Sequence, residues 1–207
     1  LAENPEVVIY EKRDMVSFGA CGLPYYIGDY FQDANQMIAR EKAAFEKQGI
    51  AVKLHHEVVA VDTNSKTVRV KPATGEEFVD SYDKLMVATG SAVILPPVSR
   101  VDFDNLFTVK TMEDGKRLKE RLLDKEIQKV TVVGGGYIGV EIVEALLHLD
   151  KEVQLIQLED NLLQDSFDSE INELMAAKMR AAKVDLHLSE TVKDFEGEQA
   201  IQWVVTD

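Results

Sequence analysis

The chain has 207 residues, with 37 Asp or Glu against 23 Lys or Arg, so its formal net charge is −14. This acidity argues against nucleic acid and anionic membrane surfaces as partners, because both bind basic patches. Apolar residues make up 45% of the chain, and no apolar run approaches the roughly 18 residues of a membrane span. The one cysteine, Cys21, cannot form an internal disulfide framework, which fits a reducing, cytoplasmic compartment.

The predicted elements of the first half are mostly β-strands with two short helical stretches. In chain order they are strand EVVIYE (6–11), a helix start at Pro24, a helix over 35–49, and β-type segments at 50–62, 66–72 and 76–90. Gly49 is a typical helix stop, and a turn at TNSK separates the first two of these β-type segments. ILPPVSRVD (94–102) is the best linker, because two prolines interrupt any regular element.

The second half alternates strands and helices. The predicted elements are a helix over 111–125, strand 129–134, helix 137–149, strand 152–159, helix 168–183, and strands near 184–188 and 200–206. An apolar strand that ends in an acid occurs at both 7–11 and 153–159. Two copies of one nucleotide-binding scheme would produce this similarity, and the pattern as a whole predicts an α/β fold.

The clearest motif is VVGGGYIG, which places Gly134, Gly136 and Gly139 in G-x-G-x-x-G register. It follows an apolar strand and opens an amphipathic helix at Tyr137 and Ile138, the context that a dinucleotide-binding loop requires. The first glycine permits a tight turn, the second lets the backbone approach a pyrophosphate, and the third lets the helix pack close to the strand. A glycine turn that serves only packing is the weaker interpretation.

A residue that binds the adenosine ribose is expected about 20 residues beyond this loop. Strand alignment places Gln157 there, with Glu159 two residues further on the same face. A neutral Gln157 can bind a ribose hydroxyl but does not repel a 2′-phosphate, and no Arg between 158 and 163 would attract one. The choice between NADH and NADPH therefore stays open.

The stretch SFGACGLPYY (17–26) places Cys21 between two glycines and before Pro24. A helix that begins there would stabilise the thiolate, which would make Cys21 a redox nucleophile. A small buried apolar role is the commoner fate of a free cysteine. The turn alone leaves both interpretations open. The four histidines show no metal-ligand spacing, so no metal site is predicted.

Taken in order, SFGACGLPYYIG, ATGS and VVGGGYIGVE resemble the pyridine nucleotide-disulfide oxidoreductases. The likeness is greatest to the single-cysteine coenzyme A-disulfide reductases and their NADH oxidase relatives. Members with two cysteines have C-x-x-x-x-C, whereas Tyr26 occupies the second position here. The resemblance implies a Rossmann-like FAD-binding part, incomplete, over 1–95 and a Rossmann-like NAD(P)-binding domain over 96–207. It also implies that the chain is a segment of a longer protein.

The resemblance also assigns roles to individual residues. In the FAD half, Glu11 would bind the adenosine ribose with Lys12 beside it, and the backbone of Val58 would lie near the adenine. Thr89 and Gly90 would close over the FAD.

Near the reacting groups, Tyr137 would cover the flavin face that the nicotinamide enters, and Glu141 would lie near the nicotinamide. Ser17 would lie near the substrate beside Cys21.

The function that these implications favour is a homodimeric FAD enzyme that uses NAD(P)H to reduce coenzyme A disulfide or a related disulfide or persulfide. An NADH oxidase or peroxidase that works through a cysteine sulfenic acid is the alternative within the family. A non-catalytic dinucleotide-binding fragment is the alternative outside it. If the first strand of the FAD half is missing, the chain alone is expected to bind NAD(H) weakly and to lose FAD.

Overall fold

A computed structural model describes residues 5–164 and 166–207, which form two compact units. The first unit contains the residues up to Gly19 together with Asn35–Ser91, and the second contains Ala20–Ala34 and Ala92–Asp207. Packing therefore groups the cysteine turn with the second unit. The boundary at residue 95 between the FAD-binding and NAD(P)-binding parts stays a prediction.

Strands and helices alternate most regularly in the second unit. The strands are β1 (Val7–Glu11), β2 (Ile50–Leu54), β3 (His56–Asp62), β4 (Thr67–Pro72), β5 (Phe78–Ser81), β6 (Lys129–Val133), β7 (Glu152–Gln157), β8 (Asp185–Leu188), β9 (Val192–Gly197) and β10 (Ile201–Thr206). The helices are α1 (Leu23–Ile27), α2 (Lys42–Glu46), α3 (Met112–Leu122), α4 (Tyr137–His148) and α5 (Ser169–Ala181). No helix among the described residues is long and apolar enough to cross a membrane.

The first unit contains a parallel pair, β1–β2, and an antiparallel sheet in the order β3–β4–β5. Tyr10 on β1 donates a hydrogen bond to Asp80 on β5 over 2.5 Å, which ties the two sheets together. Desolvation of the phenol, reinforced by the Asp80 hydrogen bond and charge, raises the pKa of Tyr10 to about 12.

Two predicted elements of this unit are wrong in part. The helix expected over 35–49 is divided into a 3-10 turn, Ala34–Met37, and the short α2, because Glu41 has an extended backbone. The β-type segment 76–90 forms a strand only over β5, and its Met86 is 87% exposed. A strand needs a hydrogen-bonded neighbour, and no described strand pairs with the residues beyond β5.

The second unit is built on a parallel sheet in the order β6–β7–β8, with α4 and α5 as the connections between consecutive strands. This is the β-α-β arrangement that the alternating pattern predicted. Leu155 is fully buried on β7, whereas the neighbouring Ile156 belongs to a cluster with Phe103 and Phe195. Successive strand residues point to opposite faces, so both faces of this sheet are covered.

Helix α3 begins with a capping box at the predicted position. The Thr111 side chain accepts from the Asp114 amide at 3.1 Å, and the Asp114 carboxylate accepts from the Thr111 amide at 2.8 Å. Gly115 has a packing role, because a Cβ there would lie 2.7 Å from Leu23 Cδ2 of α1. The glycine that weakens this helix locally therefore allows α1 to pack against it.

Candidate functional site

The glycine loop joins β6 to α4 in the second unit. Gly134 has φ +105°, a conformation that favours glycine, and its amide donates to Ile156 O on β7 at 2.8 Å. A Cβ built on Gly139 would lie 1.9 Å from Gly134 O. The first and third glycines thus let the helix begin directly against the strand end.

The middle of the loop is open. A Cβ on Gly136 would meet no atom of the described residues within 4 Å, and Tyr137 and Ile138 at the start of α4 are both more than half exposed. Within the described residues, no protein acceptor lies within hydrogen-bonding reach of these three amides, and the first α-helical bond is donated by Val140 to Gly136 O. These three N–H groups are therefore free at the positive end of a twelve-residue helix dipole.

Gly135 differs from its neighbours because it is buried and both of its main-chain polar groups have partners. Its amide donates to Gln157 Oε1 at 2.7 Å, and its carbonyl accepts from Leu163 N at 3.0 Å. Gln157, which was expected to face the ribose, thus directs its carboxamide oxygen at the loop. Glu159 is exposed, and its carbonyl accepts from the Ser189 amide at 2.9 Å.

The cysteine turn lies in the same unit. Cys21 is exposed in a 3-10 turn, Ala20–Gly22, immediately before α1. The helix start predicted at Pro24 is confirmed, but α1 has only five residues, so its dipole is smaller than that of a full helix. The exposed thiol is not the small buried apolar group of the alternative interpretation.

Helix α1 is held by packing against α3 and α4. A Cβ on Gly28 would lie 3.0 Å from Ala145 Cβ on α4, and Tyr30 stacks on His148 with ring centroids 4.1 Å apart. Glu141 of α4 is half-buried and lines a small cleft together with Tyr25. The residue expected near the nicotinamide therefore lies close to the helix that follows the cysteine. Tyr137 meets Phe167 edge-on at 6.3 Å.

Lys119 is the residue of this region that sequence reasoning missed. Its ammonium is buried, lies 2.6 Å from Asp29 Oδ1, donates to Phe31 O at 2.9 Å, and lies 4.4 Å from the centre of the Tyr26 ring. The hydrogen bond from Lys119, with a smaller one from Gln32, lowers the pKa of Asp29. These contacts fasten the turn after α1 to α3.

The residues expected to bind FAD lie in the first unit. Glu11 ends β1, and its carboxylate accepts from the amide and Nε of Arg13 at 2.9 and 3.3 Å. Lys12 is exposed, with its ammonium 3.8 Å from Glu57. Val58 is exposed on β3 and pairs with Val70.

Three further residues of this unit were assigned roles. Ser17 is half-buried, and Thr89 and Gly90 are exposed in an irregular segment where Gly90 has φ +72°. Their cofactor and substrate roles stay predictions.

Comparison with known proteins gives the family directly. Residues 1–207 match the sequence model of the pyridine nucleotide-disulphide oxidoreductases. The chain belongs to this family. Membership confirms the resemblance drawn from the motifs and the α/β fold with Rossmann-type domains. It also confirms that the family is one of enzymes, with FAD and NAD(P)H as the family's cofactors.

The names of the relatives in the family describe two activities, NADH oxidation and CoA-dependent sulfur oxidoreduction. An NADH oxidase from Streptococcus pneumoniae is 32% identical over 215 residues, which cover 98% of this chain and 47% of the relative. An NAD(P)H sulfur oxidoreductase (CoA-dependent) from Pyrococcus abyssi is 32% identical, over 98% of this chain and 44% of the relative. The chain thus spans about half the length of the curated relatives it matches.

A solved structure agrees with the fold. The water-forming NADH oxidase from Lactobacillus brevis, bound to NADH, superposes with a TM-score of 0.92 at 30% identity. The superposition covers 100% of this chain and 46% of that one.

Proposed function

We propose that this chain carries the NAD(P)H-binding site of a flavin-dependent oxidoreductase that reduces coenzyme A disulfide, or a related small disulfide or persulfide, through Cys21. The observation that carries the proposal is the open glycine loop at the start of α4. Within the described residues, the amides of Gly136, Tyr137 and Ile138 are free, and a Cβ built on Gly136 would meet no atom within 4 Å.

This loop fits a dinucleotide pyrophosphate. The phosphates would accept from the free amides, and the helix dipole would offset part of their charge. Gly136 suits this role because its missing side chain leaves room for backbone–phosphate contact. In the proposal, Gln157 and Glu159 lie on the adenosine side, whereas Tyr137 and Glu141 lie on the nicotinamide side.

In the proposed reaction, Cys21 is the residue that reacts with the disulfide substrate. Its thiolate would attack one sulfur of coenzyme A disulfide, so that a mixed disulfide forms and one coenzyme A thiolate leaves. Two electrons from NAD(P)H and one proton would then release the second thiol and regenerate the thiolate. FAD, when bound, supplies the electron relay between the nicotinamide and sulfur. The exposed thiol supports this role, because a disulfide must reach it.

The remaining assignments follow the family resemblance. Glu11, Lys12 and Val58 would contact the adenosine end of FAD, and Thr89 and Gly90 would close over the cofactor. Ser17 would lie beside the acceptor. We propose a second copy of the enzyme as the protein partner. The CoA-dependent sulfur oxidoreductase among the relatives supports coenzyme A thiol chemistry.

An NADH oxidase or peroxidase is the second candidate. The names of the Streptococcus pneumoniae and Lactobacillus brevis relatives favour it. In that reaction the Cys21 thiolate would attack a peroxide oxygen, giving the sulfenic acid and releasing hydroxide or water.

Two measurements test the proposal. Calorimetry should detect NADH binding to the chain and its loss in Gly136→Val, and equal affinities would refute the loop assignment. In the full-length protein with FAD present, NADH oxidation that depends on coenzyme A disulfide and releases two thiols per NADH would support the reductase. Oxidation that depends only on oxygen or peroxide would support the oxidase or peroxidase instead. Absence of any turnover would support a non-catalytic binding segment.

A further inference from the structure

Gly135 is the only residue of the 134–136 loop whose amide is satisfied by a side chain, as far as the described residues show. Its amide is buried and donates to Gln157 Oε1 at 2.7 Å. A buried N–H without a partner is costly, so this contact fixes the orientation of the peptide that precedes the free amides.

The segment that follows β7 completes the support. Gln157 Nε2 donates to Asn161 O at 3.3 Å, and Leu163 N donates to Gly135 O at 3.0 Å. Leu162 is fully buried, with Cδ2 2.5 Å from where a Cβ on Gly135 would lie. Leu163 has φ +52°, an unfavourable conformation for a leucine that its surroundings must maintain.

From these contacts we infer that Gln157 is a positioning residue for the pyrophosphate loop and acts through Gly135 rather than on the ribose. The inference rests on the proposed dinucleotide site and specifies how that site is maintained. The carboxamide is held at both ends, by Gly135 N and by Asn161 O. Its neutral oxygen is directed at the loop, so removal of the Gln157 carboxamide should weaken the binding of NADH and of NADPH equally.

The physical consequence concerns the three free amides. If Gln157 were removed, the Gly135 amide could regain a partner only by rotation of the peptide or by entry of water. Rotation of the 134–135 peptide would displace the adjoining Gly136, and an inserted water would leave the loop without the side-chain contact that fixes it. Phosphate binding would therefore weaken although no group that contacts the 2′-position of the ribose was altered.

The test compares Gln157→Met with Gln154→Met. Methionine keeps the length of glutamine but removes both hydrogen bonds. Gln154 lies on the same strand and also loses side-chain hydrogen bonds, with Thr131 and Asp185, but none to the loop. Amide exchange of Gly135 is measured by NMR without cofactor, and the dissociation constants of NADH and NADPH are measured by calorimetry.

We expect Gln157→Met to accelerate exchange at Gly135 and to raise both dissociation constants by the same factor, roughly tenfold. Gln154→Met should leave the exchange rate at Gly135 and both dissociation constants within about twofold of their wild-type values. Unchanged exchange at Gly135 would overturn the inference, as would a change in the ratio of the two affinities by more than about fivefold. Failure of wild-type protein to bind either cofactor would refute the proposed site, whereas the exchange result would still stand.

Discussion

The carbonyl oxygen of Gly134 occupies the space that any side chain at Gly139 would need. An ideal Cβ on Gly139 would lie 1.9 Å from that oxygen and 3.1 Å from the carbon to which it is bonded. Gly136, three residues earlier, has no described atom within 4 Å of the equivalent position. The two glycines therefore have different roles: Gly139 allows close packing, and Gly136 lies at an open surface.

Gly139→Val should destabilise the second unit by about 3 kcal/mol, because the new side chain meets backbone that cannot rotate away. The matched control is Gly136→Val, whose Cβ enters open space and whose backbone φ of −78° suits any residue. Chemical denaturation followed by circular dichroism measures the free energy of unfolding of both variants. If Gly136→Val proved as destabilising as Gly139→Val, the division of roles would be wrong.

Lys119→Met should lower the free energy of unfolding by about 1–2 kcal/mol. This is less than the 3–5 kcal/mol typical of breaking a fully buried pair, because the side chain of Asp29 is 33% exposed. Asp29 has a lowered pKa when folded, so this stability is present above its ordinary value of 3.8 and is lost as the pH falls through the folded pKa.

The matched control for this change is Lys116→Met, on the exposed side of α3. Urea denaturation at about pH 7 should show little change in the control. NMR titration should show the pKa of Asp29 returning towards its ordinary value only in Lys119→Met. An unmoved Asp29 titration would exclude Lys119 as the cause of the shift.

The sequence made the β6–α4–β7 unit predictable because its strand, glycine loop and helix are adjacent in the chain. Lys119 also left a signal, since it shares helical spacing with the buried Met112, Gly115 and Leu122. A lysine on an apolar face predicts a buried partner, but Asp29 is 90 residues distant, and no local pattern identifies it.

Other features could not be predicted for related reasons. The contact from Gln157 to Gly135 depends on a side-chain rotamer and on the loop that follows β7. Strand β9 was missed because its sequence, VKDFEG, mixes charges with two buried residues, Val192 and Phe195. Its identity as a strand comes from pairing with β10, which is a tertiary property.

His187 should show a raised pKa and a corresponding loss of stability as the pH rises. Its Nδ1 lies 2.7 Å from Glu190 Oε1, and its Nε2 lies 3.1 Å from both Asp185 Oδ1 and Gln154 Nε2. The hydrogen bond to Glu190, followed by the interactions with Asp185, raises the pKa of His187, whereas burial opposes them. The charge of Asp207 acts on Glu190 in the same cluster.

A raised folded pKa means that this stability is complete below the ordinary value of 6.5 and disappears as the pH passes the folded pKa. The thermal midpoint of wild type should therefore exceed that of His187→Gln at about pH 5.5, with a smaller difference at about pH 8.5. An equal difference at both pH values would show that the histidine is not stabilised in its charged form.

In the full-length enzyme, Cys21→Ser should abolish reduction of coenzyme A disulfide while FAD binding is retained. A serine hydroxyl is not ionised at neutral pH and cannot form the mixed disulfide. Turnover is followed by thiol release, and bound flavin is followed by absorbance. Full acceptor turnover in the serine variant would mean that the nucleophile has been misassigned.

The free amides at the start of α4 are the groups that we propose bind the cofactor pyrophosphate. The most direct measurement is a titration of ¹⁵N-labelled chain with NADH, followed amide by amide. We expect the largest chemical-shift changes at Gly136, Tyr137 and Ile138, with smaller changes at Gly134 and Gly135, whose amides already have partners. Saturating NADH that left those three amides unmoved, or that moved residues of the first unit instead, would contradict the account.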